Sequence, residues 1–294
     1  MQMTTNGARP GSGLASDAAI RTILVTASGG PGDAPLLEAA TAVAATFEAH
    51  LQVLFTRLDP QELALRIGAW DPMGASGLGS MLEDLMKDCD ARQDAARQVF
   101  ERICLERDVA AEWCVETGID TDCLVAHGRT ADLVLLKRGG TPEETAYVAI
   151  EAALLGCGKP LLILPASGPF SPETVAIAWK DTPEAARGIM ASLPFVHRAR
   201  QVLVLTVTED PSLADDSAER VAASLSRHNP ATSLVRLPAA GKEPVHHLLD
   251  EVARRGAGLL AMGGYGHSRA RETVFGGFTR SILHGAPLPV LLMH

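Results

Sequence analysis

Short apolar runs alternate with longer amphipathic stretches along most of the chain. The runs "TILVTAS" (22–28) and "LQVLFTRL" (51–58) are rich in β-branched and aliphatic residues. Between them, "APLLEAATAVAATFEAH" (34–50) has apolar residues at i, i+3 and i+4 spacing. The runs predict strands and the stretch predicts a helix. Strands that are apolar on both sides indicate a parallel sheet covered on both faces.

The same order of elements occurs twice. Four pairs of segments carry the duplication: 22–28 with "ETVAIAWK" (173–180), 34–50 with "PEAARGIMASLPFV" (183–196), 51–58 with "QVLVLTVTE" (201–209), and "ADLVLLKRGG" (131–140) with "AGLLAMGGYG" (257–266). In addition, "KPLLILPAS" (159–167) matches "LPVLLMH" (288–294). The predicted fold class is therefore α/β, with two tandem open parallel-sheet domains, Rossmann-like and five-stranded.

Breaks in this pattern predict the domain boundaries. Gly, Pro and Ser interrupt both periodicities in "ASGPFSPE" (166–173). We therefore expect a first domain at 21–166, a linker at 167–173 and a second domain at 174–294. Residues 1–20 lack the apolar core of a secretory signal and predict a disordered tail.

The first domain has an additional segment at about 60–80, which is rich in Gly and Met. We interpret it as a flexible connection, with a lid or an apolar contact surface as the alternative. A long polar helix is predicted to follow it at 82–107.

Composition and charge restrict the function classes. The net charge of −9 argues against nucleic acid as the main partner. No apolar run approaches the roughly 20 residues that cross a bilayer. The five cysteines are odd in number and form no CxxC pair, which favours reduced, buried thiols and a cytoplasmic location. His246 and His247 lie on neighbouring faces of a predicted helix, so no metal site is expected there.

The strongest candidate chemistry follows the apolar run at 257–266. Glycines at 263 and 266 permit a turn with positive φ and a close approach of the main chain to a bound group. Gly276 and Gly277 precede "FTRSILHG", so they are predicted at a helix N-terminus, where free amides attract anions. Thr279 offers a hydroxyl, and three arginines offer positive charge: Arg269, Arg271 and Arg280. A nucleotide phosphate fits this chemistry.

Some side chains of this stretch have two interpretations. His267 and Ser268 either contact a phosphate or form hydrogen bonds that structure the loop. Arg269, Arg271 and Glu272 either meet a ligand or pair with one another across a helical turn. The chain has no GxSxG, HExxH or Walker A lysine motif, so we expect no catalytic residue.

The two halves, together with "MGGYGHSRARETVFGG" (262–277), resemble the tandem type of the universal stress protein family. Nucleotide-binding members have Gly-2x-Gly-9x-Gly-(Ser/Thr), and Gly263, Gly266 and Gly276 match its glycines, whereas Gly277 replaces the Ser or Thr. The resemblance implies that ATP or another adenine nucleotide binds the second domain, with or without Mg²⁺. It assigns the ribose and phosphates to Met262, Gly263, Gly276, Gly277 and Phe278, and the adenine to Val207, Ala178, Trp179 and Lys180.

Two departures from the family pattern concern the end of the first strand of each half. The family usually has Asp there, whereas this chain has Lys180 followed by Asp181 in the second half and Ser28 in the first. In the first half, Gly139 and Gly140 are followed by no glycine until Gly156. We therefore predict that the first domain binds no nucleotide through this loop.

The resulting prediction is a stress-response protein that binds an adenine nucleotide in its second domain and acts as a ligand-dependent regulator. The resemblance implies at most slow ATP hydrolysis. The alternative is an interaction or scaffold module with vestigial sites and an unknown protein partner. The resemblance also implies that "PLLIL" (160–164) and "PVLLM" (289–293) pair as an internal pseudo-dimer, with a further homodimer left open.

Overall fold

The computed structural model describes residues 20–61, 65, 78–107, 109–138, 145–165, 170–208, 216–238, 243–264 and 277–294. The elements of the first half are β1 (Thr22–Ala27), α1 (Asp33–Phe47), β2 (His50–Arg57), α2 (Leu78–Phe100), β3 (Ala111–Thr117), α3 (Asp120–Gly128), β4 (Leu133–Lys137), α4 (Thr145–Gly156) and β5 (Leu161–Leu164). A π-helical turn, Glu101–Leu105, continues α2.

The second half repeats this order with shorter connections. Its elements are β6 (Thr174–Ala178), α5 (Pro183–Val196), β7 (Gln201–Thr208), α6 (Ser217–Leu225), β8 (Thr232–Pro238), α7 (Pro244–Arg254), β9 (Leu259–Gly263), α8 (Gly277–Gly285) and β10 (Val290–Met293). Residues 1–19 of the predicted tail and most of the segment at 60–80 lie outside the described residues.

All of these strands form one sheet, in the order β3-β2-β1-β4-β5-β10-β9-β6-β7-β8. Strands are parallel within each half. β5 and β10 are antiparallel, with Ile163 opposite Val290 and Leu161 opposite Leu292. The expected pairing of 160–164 with 289–293 is therefore present, and it covers one edge of each half. The fold is α/β with two open, parallel, five-stranded halves, as predicted.

Two apolar layers sandwich the sheet. On one face, α1, α2, α5 and α6 cover residues such as Val25 and Ile177. On the other face, α3, α4, α7 and α8 cover residues such as Leu24 and Ala176. Neighbouring residues of one strand thus enter different cores, which explains the continuous apolar runs in the sequence. Within the described helices, none combines the length and hydropathy that a bilayer crossing requires.

The structure corrects one helix boundary. The helix predicted over 34–50 ends at Phe47, because Glu48 adopts a left-handed conformation with φ of 52° and its N–H bonds back to the last turn. Ala49 and His50 then lead into β2. The polar helix predicted at 82–107 is present, although it begins at Leu78.

Candidate functional site

The candidate site lies at the carboxyl edge of the second half, where the strand order reverses. β6 lies between β7 and β9, so the chain leaves β6 toward one side of the sheet and later returns on the other side. Open α/β sheets bind ligands in the crevice outside such a point. The last residues of β6 and β9, Ala178 and Gly263, border this crevice.

Three predicted contact residues share the sheet face that α7 and α8 cover. Met262 is buried, whereas Ala178 and Val207 are half-buried. Ile177 pairs with Ala261 in the ladder between β6 and β9, so the next residues, Ala178 and Met262, are neighbours. The structure therefore brings these three side chains into one apolar row next to the crevice.

Trp179 points to the other face of the sheet. Its indole is buried, and Nε1 donates a hydrogen bond to Oγ of Ser217, the first residue of α6, at 3.0 Å. Its main-chain N–H donates to the carbonyl of Leu205. The Trp179 side chain thus anchors α6 to the sheet, so a ligand contact from this residue would have to come from its main chain.

Lys180 and Asp181 are exposed in the turn that follows β6. The N–H of Thr182 donates to the carbonyl of Lys180 at 2.7 Å and closes this turn. The Thr182 hydroxyl then accepts a hydrogen bond from the N–H of Ala185, and Pro183 begins α5. This helix N-terminus is therefore capped by its own residues.

Gly263 has a packing role that its predicted ligand role did not include. A Cβ at Gly263 would lie 2.4 Å from the carbonyl carbon of Glu184, and a Cβ at Gly188 would lie 2.7 Å from that of Met262. The absence of both side chains lets α5 rest directly on the main chain of β9. The prediction of a positive φ at Gly263 is wrong, because this residue is the last of a regular strand.

The N-terminus of α8 is the polar element beside the crevice. The helix begins at Gly277, with Phe278 exposed and Thr279 buried. Among the described residues, no neighbouring atom lies within 4 Å of the position that a Gly277 Cβ would occupy. Five predicted site residues lie outside the described residues: Gly266, His267, Ser268, Arg269 and Gly276.

The loop between β1 and α1, which corresponds to the turn between β6 and α5 in the second half, is filled by a carboxylate of the chain itself. Asp33 is buried and accepts hydrogen bonds from the main-chain N–H of Gly29 at 2.7 Å and of Ser28 at 3.0 Å. The Ser28 hydroxyl donates to the same carboxylate at 2.9 Å. These amides form a small anion nest, and Asp33 is its anion.

Two further features close this loop. Lys137 occupies the position in β4 that Gly263 occupies in β9. The strand registers show this, because Leu133 pairs with Ile23 in the first half and Leu259 pairs with Val175 in the second. Lys137 and Gly263 each follow these residues by four positions. The Nζ of Lys137 would be 2.5 Å from a Cβ at Gly32. On the other side, α2 crosses the loop so closely that a Cβ at Gly29 would lie 2.3 Å from the carbonyl oxygen of Arg92. Gly139 and Gly140 lie outside the described residues.

Comparison with known proteins finds a family likeness in the second half. The profile of the Universal stress protein family matches residues 191–294, which include β9, α8 and β10. This part of the chain is therefore similar to the universal stress protein family. Among curated proteins, no sequence matches this chain significantly.

Solved structures extend the likeness to the whole fold. A universal stress protein from Archaeoglobus fulgidus is similar over 92% of this chain and 97% of its own, with 15% identity and a TM-score of 0.66. A Pseudomonas aeruginosa protein described as a universal stress protein is similar over 94% of each chain, with 12% identity and a TM-score of 0.56. Both chains span two halves, so the tandem layout is shared with known universal stress proteins.

A separate cleft of about 480 Å³ lies in the first half, at the carboxyl end of the edge strand β3. His127 lies in it between the Glu116 carboxylate, at 3.1 Å, and the Gln52 side-chain oxygen, at 3.4 Å. Burial, with the Glu116 charge adding to it, raises the pKa of the neighbouring Cys123 thiol. The thiol therefore stays protonated at neutral pH and is not an activated nucleophile.

The sequence analysis missed the residues that close the first half: Asp33, Lys137 and Arg92. An Asp at the start of a helix is so common that its pattern does not indicate a filled nest. Lys137 had a detectable signal, because it occupies the repeat position of Gly263. Within the described residues, no three His, Cys, Asp or Glu side chains cluster as metal ligands.

Proposed function

We propose that this protein is a universal stress protein that binds an adenine nucleotide, ATP or a close relative, in its second half. The observation that supports this most is the start of α8, where no described atom lies within 4 Å of the position that a Gly277 Cβ would occupy. In the first half, by contrast, Asp33 already fills the amide nest between β1 and α1, and Lys137 stands at the repeat position of Gly263. The helix dipole and free amides favour a phosphate at the start of α8.

The apolar row of Met262, Ala178 and Val207 suits the remainder of such a ligand. A purine has a flat apolar face, and half-buried aliphatic side chains are the usual lining of nucleotide pockets. The exposed Lys180 and Asp181 flank this row.

We propose residues 21–166 and 174–294 as the two domains. We also propose that nucleotide bound to the second domain changes the binding of a protein partner, by shifting the chain between two conformational states.

Calorimetric titration of the purified full chain with ATP, AMP and inorganic triphosphate tests the proposal. Nucleotide that copurifies with the chain is measured first, after denaturation. We expect saturable binding that requires adenine.

The discriminating variant is Gly277→Asp, with Gly277→Ala as its matched control. A carboxylate at the first turn of α8 suits the helix dipole, so the fold is kept, but it repels a phosphate. We expect at least about a tenfold loss of ATP affinity, the equivalent of 1.4 kcal/mol, in the Asp variant. The Ala variant should bind like the unaltered chain.

The alternative is an interaction module whose second site is vestigial. The packing role of Gly263 favours it, because this glycine is required by the fold even without a ligand. Absence of binding at millimolar ATP, or ATP affinity equal in the Asp and Ala variants, would favour the alternative over the nucleotide site.

A further inference from the structure

Two histidines meet at the amino edge of the second half, opposite the candidate nucleotide site. His197 ends α5, and His228 lies three residues after the end of α6. Their ring nitrogens, Nε2 of His197 and Nδ1 of His228, are 3.1 Å apart. The ring centroids are 5.3 Å apart, with 38° between the ring planes.

This separation suits two ligands of one metal ion. Nitrogen ligands lie about 2.0–2.1 Å from Zn²⁺, so two of them at a tetrahedral angle are about 3.3 Å apart. A direct hydrogen bond between neutral rings has a similar length, with one ring as the donor. When an ion replaces the shared hydrogen, the donor ring takes its other tautomer, and no net proton needs to be released.

Asn229 fixes the main chain that carries both rings. Its side chain is buried, and Nδ2 donates to the carbonyls of Val196 and Ala199, each at 2.8 Å. Its Oδ1 accepts the N–H of Ala231 at 2.9 Å. The turn with His228 is thereby bound to the end of α5, so the two rings are held together before any ion arrives.

The helix termini next to the two rings suit a cation. His197 and His228 both follow helix C-termini, where the helix dipole favours positive charge. The guanidinium of Arg198, next to His197 in sequence, lies 4.6 Å over the Phe47 ring and donates to the Pro194 carbonyl.

We propose that His197 and His228 together bind one divalent transition-metal ion of the Zn²⁺ class, with water completing the coordination. Such an ion joins the end of α5 to the turn between α6 and β8. Because the site offers half the ligands of a structural zinc site, we expect a dissociation constant on the order of 10–100 µM. The site is independent of nucleotide binding, which concerns the other edge of the sheet.

Calorimetric titration of the tag-free full chain with ZnCl₂ at pH 7.5 tests this proposal. We expect one site per chain that is lost, with at least about a tenfold fall in affinity, in both His197→Gln and His228→Gln. His246→Gln, which changes an exposed histidine on α7, is the control and should keep the site. Circular dichroism of each variant verifies that it is folded.

A second readout uses stability. Zn²⁺ should raise the melting temperature of the unaltered chain reversibly, with EDTA removing the effect, since an ion that binds the folded state stabilises it. The variants lacking either histidine should show no such rise. Absence of saturable Zn²⁺ binding up to 1 mM, or an unchanged site in folded His228→Gln, would overturn the proposal.

Discussion

The Asp33 carboxylate accepts a hydrogen bond from the main-chain N–H of Gly29 at 2.7 Å, in the loop that joins β1 to α1. Gly29 needs its φ of 79° to direct this N–H inward, and α2 leaves no room for a side chain there. An acidic residue of the chain thus takes the place of a bound anion. The first half closes its loop with its own residues.

Replacing this carboxylate should destabilise the chain. Asp33→Ala leaves two main-chain N–H groups and the Ser28 hydroxyl without their acceptor, so we expect a loss of about 2 kcal/mol in the free energy of unfolding. Urea denaturation measures it. Asp181→Ala, at an exposed position in the second half, should change stability by less than about 0.5 kcal/mol. Equal effects of the two changes would contradict the filled-nest interpretation.

The contact between α5 and β9 gives a second prediction. Gly263→Ala and Gly188→Ala each place a methyl group against main-chain atoms that no rotamer change can move. We expect each to cost about 1–3 kcal/mol of stability. Because both substitutions separate the same pair of elements, the double variant should lose less than the sum of the two.

Gly277→Ala is the control for these glycines, since no atom of the described residues lies within 4 Å of a Cβ at that position. It should be neutral or slightly stabilising, because alanine has a higher helix propensity than glycine. A Gly263→Ala variant as stable as Gly277→Ala would show that α5 does not rest on β9 as described.

The sequence predicts the central strands and the helices between them well, because burial on both faces leaves continuous apolar runs such as "RTILVTAS". It does not locate β3 and β8, which lie at the edges of the sheet. Their side chains are mostly half-buried or exposed, as in "AEWCVET" and "TSLVRLP", so the apolar pattern is weak there.

For the candidate site, residue types predicted the start of α8 at a glycine but not the function of Gly263. A glycine that approaches a ligand and one that approaches a helix have the same sequence signature. The pairing of His197 with His228 has no local signal either. The two are 31 positions apart, and only the packing of α5 against the turn after α6 brings them together.

Arg138 joins the two halves and provides a third prediction. It lies just beyond β4 and donates to two carbonyls that follow α8, those of Ala286 and, at 3.0 Å, Leu288. Burial lowers the pKa of Arg138 to about 10, which leaves it charged at neutral pH. Arg138→Met removes both bonds, and Arg138→Lys cannot reproduce the fork geometry.

We expect either Arg138 variant to lose about 2 kcal/mol of unfolding free energy, measured in urea, since buried carbonyls lose a charged donor. Arg200→Met is the matched control. Arg200 is exposed and pairs with Glu173 at 3.4 Å, so its loss should cost less than about 0.5 kcal/mol. Full retention of stability in Arg138→Met would mean that this contact does not hold the halves together.

The histidine pair gives a pH prediction. Burial lowers the pKa of His197 below its ordinary 6.5, with His228 and Arg198 adding to the shift. The unfolded chain then binds a proton at a higher pH than the folded chain does. The contribution of His197 to the free energy of unfolding is therefore complete above about pH 6.5 and decreases as the pH falls toward the lower pKa of the folded chain.

Urea denaturation between pH 7.5 and 5 measures this contribution, with EDTA present to exclude metal effects. The urea midpoint should fall less steeply with decreasing pH in His197→Gln than in the unaltered chain or in His246→Gln. Parallel slopes in all three proteins would show that His197 does not carry this dependence.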